Sequence, residues 1–151
     1  MCLTRDLAWT PGQDLVPEQL AQRAVDVADA TGATARVLRA AQLERLGLGC
    51  LLAVGRGSPN PPCLVVLERG DPVARRKRGA RVPTVVLAGK GVTFDTGGLA
   101  IKPRDGMLRM KYDMSGAAAV IGVSRRCRRS SCRSASSACW RAPRTCPAAA
   151  R

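Results

Sequence analysis

Apolar residues recur at helical spacing between Leu15 and Thr31. Leu20, Ala21, Ala24, Val25, Val27 and Ala28 fall on one face, and polar residues fill the other, so the repeat predicts an amphipathic helix. Pro17 suits its first turn and Thr31-Gly32-Ala33 supplies a stop. Ala35 to Leu38 reads as a short strand, and Ala40 to Leu46 as a short helix ending at Gly47. Gly49 to Val54 fits either a helix end or a short strand, closed by Gly55-Arg56-Gly57-Ser58. Pro61-Pro62 leads into the apolar run Cys63 to Leu67, a strand. Residues 69–82 are polar; the basic run Arg75, Arg76, Lys77 and Arg78 offers a nucleic-acid patch, but the stretch reads rather as a solvated hairpin between that strand and another, Val82 to Ala88. The small, apolar stretch Gly116 to Val123 predicts a buried helix. Alternating strands and helices predict an α/β fold, a layered mixed sheet flanked by helices.

The chemistry gathers at the end of the strand that closes at Ala88. Gly89-Lys90-Gly91 follows it, then Asp95 in Phe94-Asp95-Thr96-Gly97-Gly98, then Lys102 and Asp113. Glycines at this density let backbone and ligand approach closely. Ligands in layered α/β folds sit outside the carboxyl ends of strands, which is where Lys90 and Asp95 fall. The chain has no histidine, so a metal site here is built from carboxylates, backbone oxygens and a neutral lysine amine. Such donors suit Mn²⁺, Mg²⁺ or Zn²⁺.

Composition narrows the alternatives. The 151 residues are 46% hydrophobic but only 3% aromatic, enough for one modest domain with a Val, Leu and Ala core. No run of apolar residues is long enough to span a membrane, and the N-terminus lacks the apolar segment of a secretory signal. The net charge of +14 suggests nucleic acid, but its distribution weakens that reading. Seventeen basic and eleven acidic residues fall in 1–123, a net +6; residues 124–151 hold eight arginines and no acid, a net +8. One Phe, one Tyr and two Trp make a poor set of stacking platforms for bases. The tail cysteines, Cys127, Cys132, Cys139 and Cys146, form no CxxC pair and have no histidine to complete a zinc knuckle. Nucleic acid and membrane are therefore not expected partners.

GKGVTFDTGG, then IKP, then MKYDMSGAAAV, closely resembles the leucyl (cytosol) aminopeptidases, and RDLAWTPGQDLVPEQLA and LERLGLGCLLAVGRGSPNPPCLVVLE fit upstream. The resemblance spans roughly residues 4–123, with several separate motifs in the right order. It implies the N-terminal part of a di-metal catalytic domain in a cytoplasmic enzyme that is hexameric at full length. It also implies two divalent ions, Mn²⁺ or Zn²⁺, and peptide substrates trimmed of N-terminal, preferably hydrophobic, residues. By position it assigns Lys90, Asp95 and Asp113 to the metals and Asp113 also to the substrate's free amine. Lys102 becomes the catalytic lysine that polarises the scissile carbonyl, and Met110 lines the pocket for the first side chain. The chemistry agrees: a divalent pair activates water, and a cation aimed at a developing oxyanion stabilises the transition state.

The chain departs from the family in three places. It starts where the family's catalytic half starts, the later Asn-Thr-Asp-Ala-Glu-Gly-Arg motif is missing, and the tail has no Leu, Ile, Val or Met. Regrouping each tail codon's last base with the next two bases permits Pro-Val-x-Val-Val-Gly-Leu-Leu-Ala across Cys132 to Arg141, then Glu-Asn-Met-Pro. The fixed letters of the Cys139 and Trp140 codons give leucine. The string matches what the family carries next, so residues 124–151 read as an out-of-frame, disordered tail that starts near Gly122 to Arg126. The competing expectations are an inactive piece of the aminopeptidase and a basic nucleic-acid-binding arm.

Overall fold

The computed structural model describes residues 2–70 and 85–126, together with the backbone of 136–139. Helix α1 spans Cys2–Trp9, α2 spans Pro17–Thr31, and strand β1 spans Thr34–Leu38. Helices α3 (Ala40–Arg45) and α4 (Gly49–Gly55) lead to β2 (Leu64–Glu68). After 71–84 come β3 (Val85–Ala88), the short α5 (Arg104–Met107), a 3-10 turn (Met110–Tyr112), α6 (Ser115–Arg126) and β4 (Ser136–Cys139).

The four strands form one mixed sheet in the order β1-β2-β4-β3. β1 and β2 are antiparallel, with Thr34 opposite Glu68 and Leu38 opposite Leu64. β4 runs antiparallel to β2 and parallel to β3. Helix α2 packs on β1, β2 and α6, while α6 also packs on β3 and α1. The fold is therefore α/β, as the alternating pattern predicts.

The amphipathic face of α2 becomes the centre of the core. Leu20, Ala21, Ala24, Val27 and Ala28 are buried against Leu64, Val65, Leu67, Ala117, Ala118 and Ile121. The helix starts with Pro17 in its first turn, and the Gln19 side chain accepts a hydrogen bond from the Val16 N–H at 2.7 Å. It ends at Gly32, which is left-handed at φ 68°, and the Ala33 N–H closes back onto the Ala28 carbonyl at 2.9 Å.

Several elements differ from expectation. Gly49–Gly55 settles as helix, and the second strand sits one residue later than its apolar run. The hairpin expected across 69–82 does not join its flanking strands as neighbours, because β4 lies between β2 and β3. Most of that loop, including its basic run, and the first residues of the Val82–Ala88 run lie outside the described residues. Helix α6 continues through Ser124, Arg125 and Arg126, so no structural break falls at Val123. The tail also contributes β4 to the sheet, where no order was expected; its other residues beyond Arg126 lie outside the described set. Among the described residues no helix is long and apolar enough to cross a membrane.

Candidate active site

The end of β3 meets the start of α6 without room for side chains. A Cβ added to Gly89 would lie 2.5 Å from the Gly116 carbonyl oxygen and 2.8 Å from the Ala117 Cα. One added to Gly116 would lie 2.9 Å from the Lys90 nitrogen. Two glycines thus let strand and helix touch through their backbones, and the Lys90 carbonyl accepts the Ala117 N–H at 2.7 Å. That contact fixes Lys90 beside the residues that precede α6. Asp113, which caps the 3-10 turn, accepts a hydrogen bond from the Lys90 ammonium on Oδ1 at 2.7 Å; its Oδ2 lies 2.6 Å from the same ammonium but is buried with no hydrogen-bond partner among the described residues.

The second pair is built by the loop after β3. Asp95 is 4% exposed, and its Oδ1 accepts the Gly97 N–H at 2.8 Å. Its Oδ2 lies 3.2 Å from the Lys102 ammonium. The loop folds back so that the Lys102 N–H donates to the Thr96 carbonyl at 2.9 Å. This fold requires Gly97, at φ 90°, because a Cβ there would meet the Ala100 carbonyl oxygen at 2.4 Å. Burying a carboxylate is costly unless it is paired and hydrogen-bonded, and Asp95 is both.

Of the residues singled out by the sequence, Lys90 is brought onto Asp113 and Lys102 onto Asp95. Met110 opens the 3-10 turn that ends at Tyr112, next to Asp113, and is half-buried. Two carboxylates and an amine are the donor types that a hard or borderline divalent ion takes. They fit such an ion in kind and fall short in number: among the described residues no three His, Cys, Asp or Glu side chains cluster as a metal site. Sequence reasoning missed Gly116, whose only signal is the small-residue run that begins α6. It also missed the Thr96 carbonyl and Gly97 N–H, which set the loop and carry no side-chain signature.

The catalytic-domain model of the cytosol aminopeptidase family matches residues 2–140. A probable cytosol aminopeptidase of Roseiflexus castenholzii is 48% identical over 121 residues, 80% of this chain and 24% of that protein. One from Rickettsia canadensis is 42% identical over 119 residues, 79% of this chain and 22% of that protein. The chain thus spans about a quarter of the curated relatives' length. Among solved structures, the cytosol aminopeptidase of Coxiella burnetii superimposes with a TM-score of 0.82 at 38% identity, covering 93% of this chain and 29% of that one. The bottromycin maturation enzyme BotP, in complex with Mn, gives a TM-score of 0.82 at 39% identity over 94% of this chain and 29% of its own. The leucine aminopeptidase of Caenorhabditis elegans gives 0.82 at 34% identity, covering 95% and 28%.

Proposed function

The chain belongs to the cytosol aminopeptidase family, and from that footing we propose that it carries part of the catalytic centre of a metal-dependent aminopeptidase. The enzyme releases N-terminal residues, hydrophobic ones by preference, from peptides in the cytoplasm, and at the relatives' full length assembles as a homo-hexamer. The observation that supports this most is the pair of lysine–aspartate contacts on glycine-set backbone at the carboxyl end of β3.

In this reading Lys90, Asp95 and Asp113 hold two divalent ions, Mn²⁺ or Zn²⁺. The Mn complex of the BotP neighbour supports the choice of metal. When bound, such a pair supplies a nucleophile from water at neutral pH and polarises the scissile carbonyl. The Asp113 carboxylate, which here holds an ammonium, has the charge to hold a substrate's α-ammonium as well. The Lys102 ammonium is set by the Thr96 turn and by Asp95 and faces the developing oxyanion. Met110 lines the pocket for the first side chain. The residues present here do not suffice for turnover by themselves.

Electron paramagnetic resonance of free Mn²⁺, titrated with the chain, tests the metal assignment. Weak binding that disappears in Asp95→Asn and Asp113→Asn is the expected result. Undiminished binding in both variants would place the metal elsewhere.

A further inference from the structure

A groove on the surface beside the 3-10 turn is lined by Pro11, Phe94, Arg104, Met107, Leu108 and Lys111, together with Gly12 and Gln13. Its walls are apolar, and among the described residues its charged side chains are two cations and no carboxylate lines it. Neither Arg104 nor Lys111 is ion-paired among the described residues. The acids adjacent in sequence to lining residues, Asp14, Asp95 and Asp105, are not among those that line the groove, and neither is Asp113, two residues from Lys111.

Lys111 is also held in place. Its ammonium lies 4.5 Å from the ring centroid of Trp9 and 5.0 Å from that of Tyr112, and the two rings meet edge to face at 5.9 Å. Two aromatic rings fix a flexible side chain at little cost in hydration and leave its charge unneutralised. Leu108 is 68% exposed and Phe94 42%, so the apolar wall beside this cation is open to water.

We propose that this groove docks a peptide segment in which a carboxylate side chain sits among apolar residues. The carboxylate lies between Lys111 and Arg104, and its apolar neighbours cover Phe94, Met107 and Leu108. Charge complementarity selects the acid, and burial of open apolar surface supplies most of the affinity. A nucleic acid is the poorer fit. Its bases need free ring faces, and Trp9 and Tyr112 are committed to Lys111 and to each other. Docking does not involve the free amine that an aminopeptidase substrate must present, so it stands apart from the function proposed above.

The test uses the whole chain with Trp140→Phe, which leaves Trp9 as the only indole. N-acetylated Leu-Asp-Leu-Phe amide, whose amine is blocked, is titrated while Trp9 fluorescence is followed, and its Asn counterpart is titrated in parallel. The acid should bind roughly fivefold more tightly than the amide, with the preference shrinking in high salt. Lys111→Glu should abolish the preference and Lys111→Arg should keep it. Arg104→Glu, at an exposed position, should lower it even if Lys111→Glu disturbs the fold. Equal affinity for the acid and Asn peptides would overturn the proposal. So would self-association of the chain that blocks the groove, or an oligonucleotide that displaces the peptide.

Discussion

At the scale of single residues the site rests on positions without side chains. A methyl group at Gly89 would press into the backbone of Gly116 and Ala117 at 2.5 and 2.8 Å. Backbone atoms cannot swing aside as a flexible side chain does, so strand and helix must separate. Gly89→Ala should therefore cost about 1 to 3 kcal/mol, read as a lowered urea midpoint with the slope unchanged. It should also loosen the Lys90–Asp113 contact. An unchanged midpoint would show that the two backbones do not meet as described. Cys63 gives a second check. Its thiol donates to the Pro17 carbonyl at 3.5 Å, and burial, with a smaller push from Glu18, raises its pKa from 9.0 to about 11. The neutral thiol is the form the fold favours. Stability from this group is complete below pH 9 and falls as pH rises toward 11, where the unfolded thiol has ionised and the folded one has not. At pH 8 an alkylating reagent should label the exposed Cys2 and Cys50 well before Cys63, as followed by peptide mass mapping. Equal rates at the three thiols would contradict the burial. The residue types of the site were legible in the sequence, because strand, glycine and charge lie in one short stretch. Which lysine pairs with which aspartate was not, since that depends on where α6 begins relative to β3.

At the scale of elements, legibility followed local repeat length. The α2 face carries a full helical repeat with a proline start and a glycine stop, and the helix forms over Pro17–Thr31. Gly49–Gly55 is a short apolar run, which fits helix and strand equally until packing decides. Helix α1 was missed because only Leu7 of its eight residues is buried; its place is set by α6, through the Thr4 hydroxyl donating to the Ala118 carbonyl at 3.2 Å. The strand β4 is the most instructive case. It takes a central position, paired on both sides, with the sequence Ser-Ser-Ala-Cys. Central strands between parallel and antiparallel neighbours read as Val, Ile and Leu, and no local propensity places these four residues there. The regrouped codons over the same stretch permit Val-Val-Gly-Leu-Leu, the composition that such a position demands. Resequencing the gene past the codon for Val123 should therefore reveal one gained or lost base. Replacing residues 133–140 by the regrouped sequence should stabilise the chain by about 2 kcal/mol for each large aliphatic side chain that becomes buried. A clean gene and an unchanged urea midpoint would together leave the tail as a genuine part of the protein.

At the scale of the whole molecule, the decisive quantity is how much of a catalytic centre one chain can hold. Two divalent ions need roughly eight or more ligand positions between them, with one kept open for water. On the reading proposed above, Lys90, Asp95 and Asp113 would supply too few, and each of the two carboxylates is already engaged by an ammonium. The chain covers only about a quarter of its relatives' length, so most of their residues have no counterpart in it. Groups that act together lose nearly all of their effect when some are missing, so Lys102, if it has the role proposed, would alone retain little of the rate. We therefore expect the 151-residue chain to hydrolyse leucine anilide more slowly than a version extended to the relatives' length in the regrouped frame, by roughly a thousandfold or more. The extended protein's turnover should be abolished by a chelator and restored by Mn²⁺ or Zn²⁺. The short chain should also self-associate, because β3 is a sheet edge among the described strands, with Val85 and Val86 both more than half exposed, and Leu99 and Ile101 stand in water nearby in sequence. Light scattering after size exclusion would follow that association, and it must be measured on the same sample as the activity. Aggregated, inactive protein says nothing about ligands, whereas a monomeric, inactive chain is what a shortage of donors predicts. Robust, chelator-sensitive turnover by the 151-residue monomer would show that three donors and one lysine are enough.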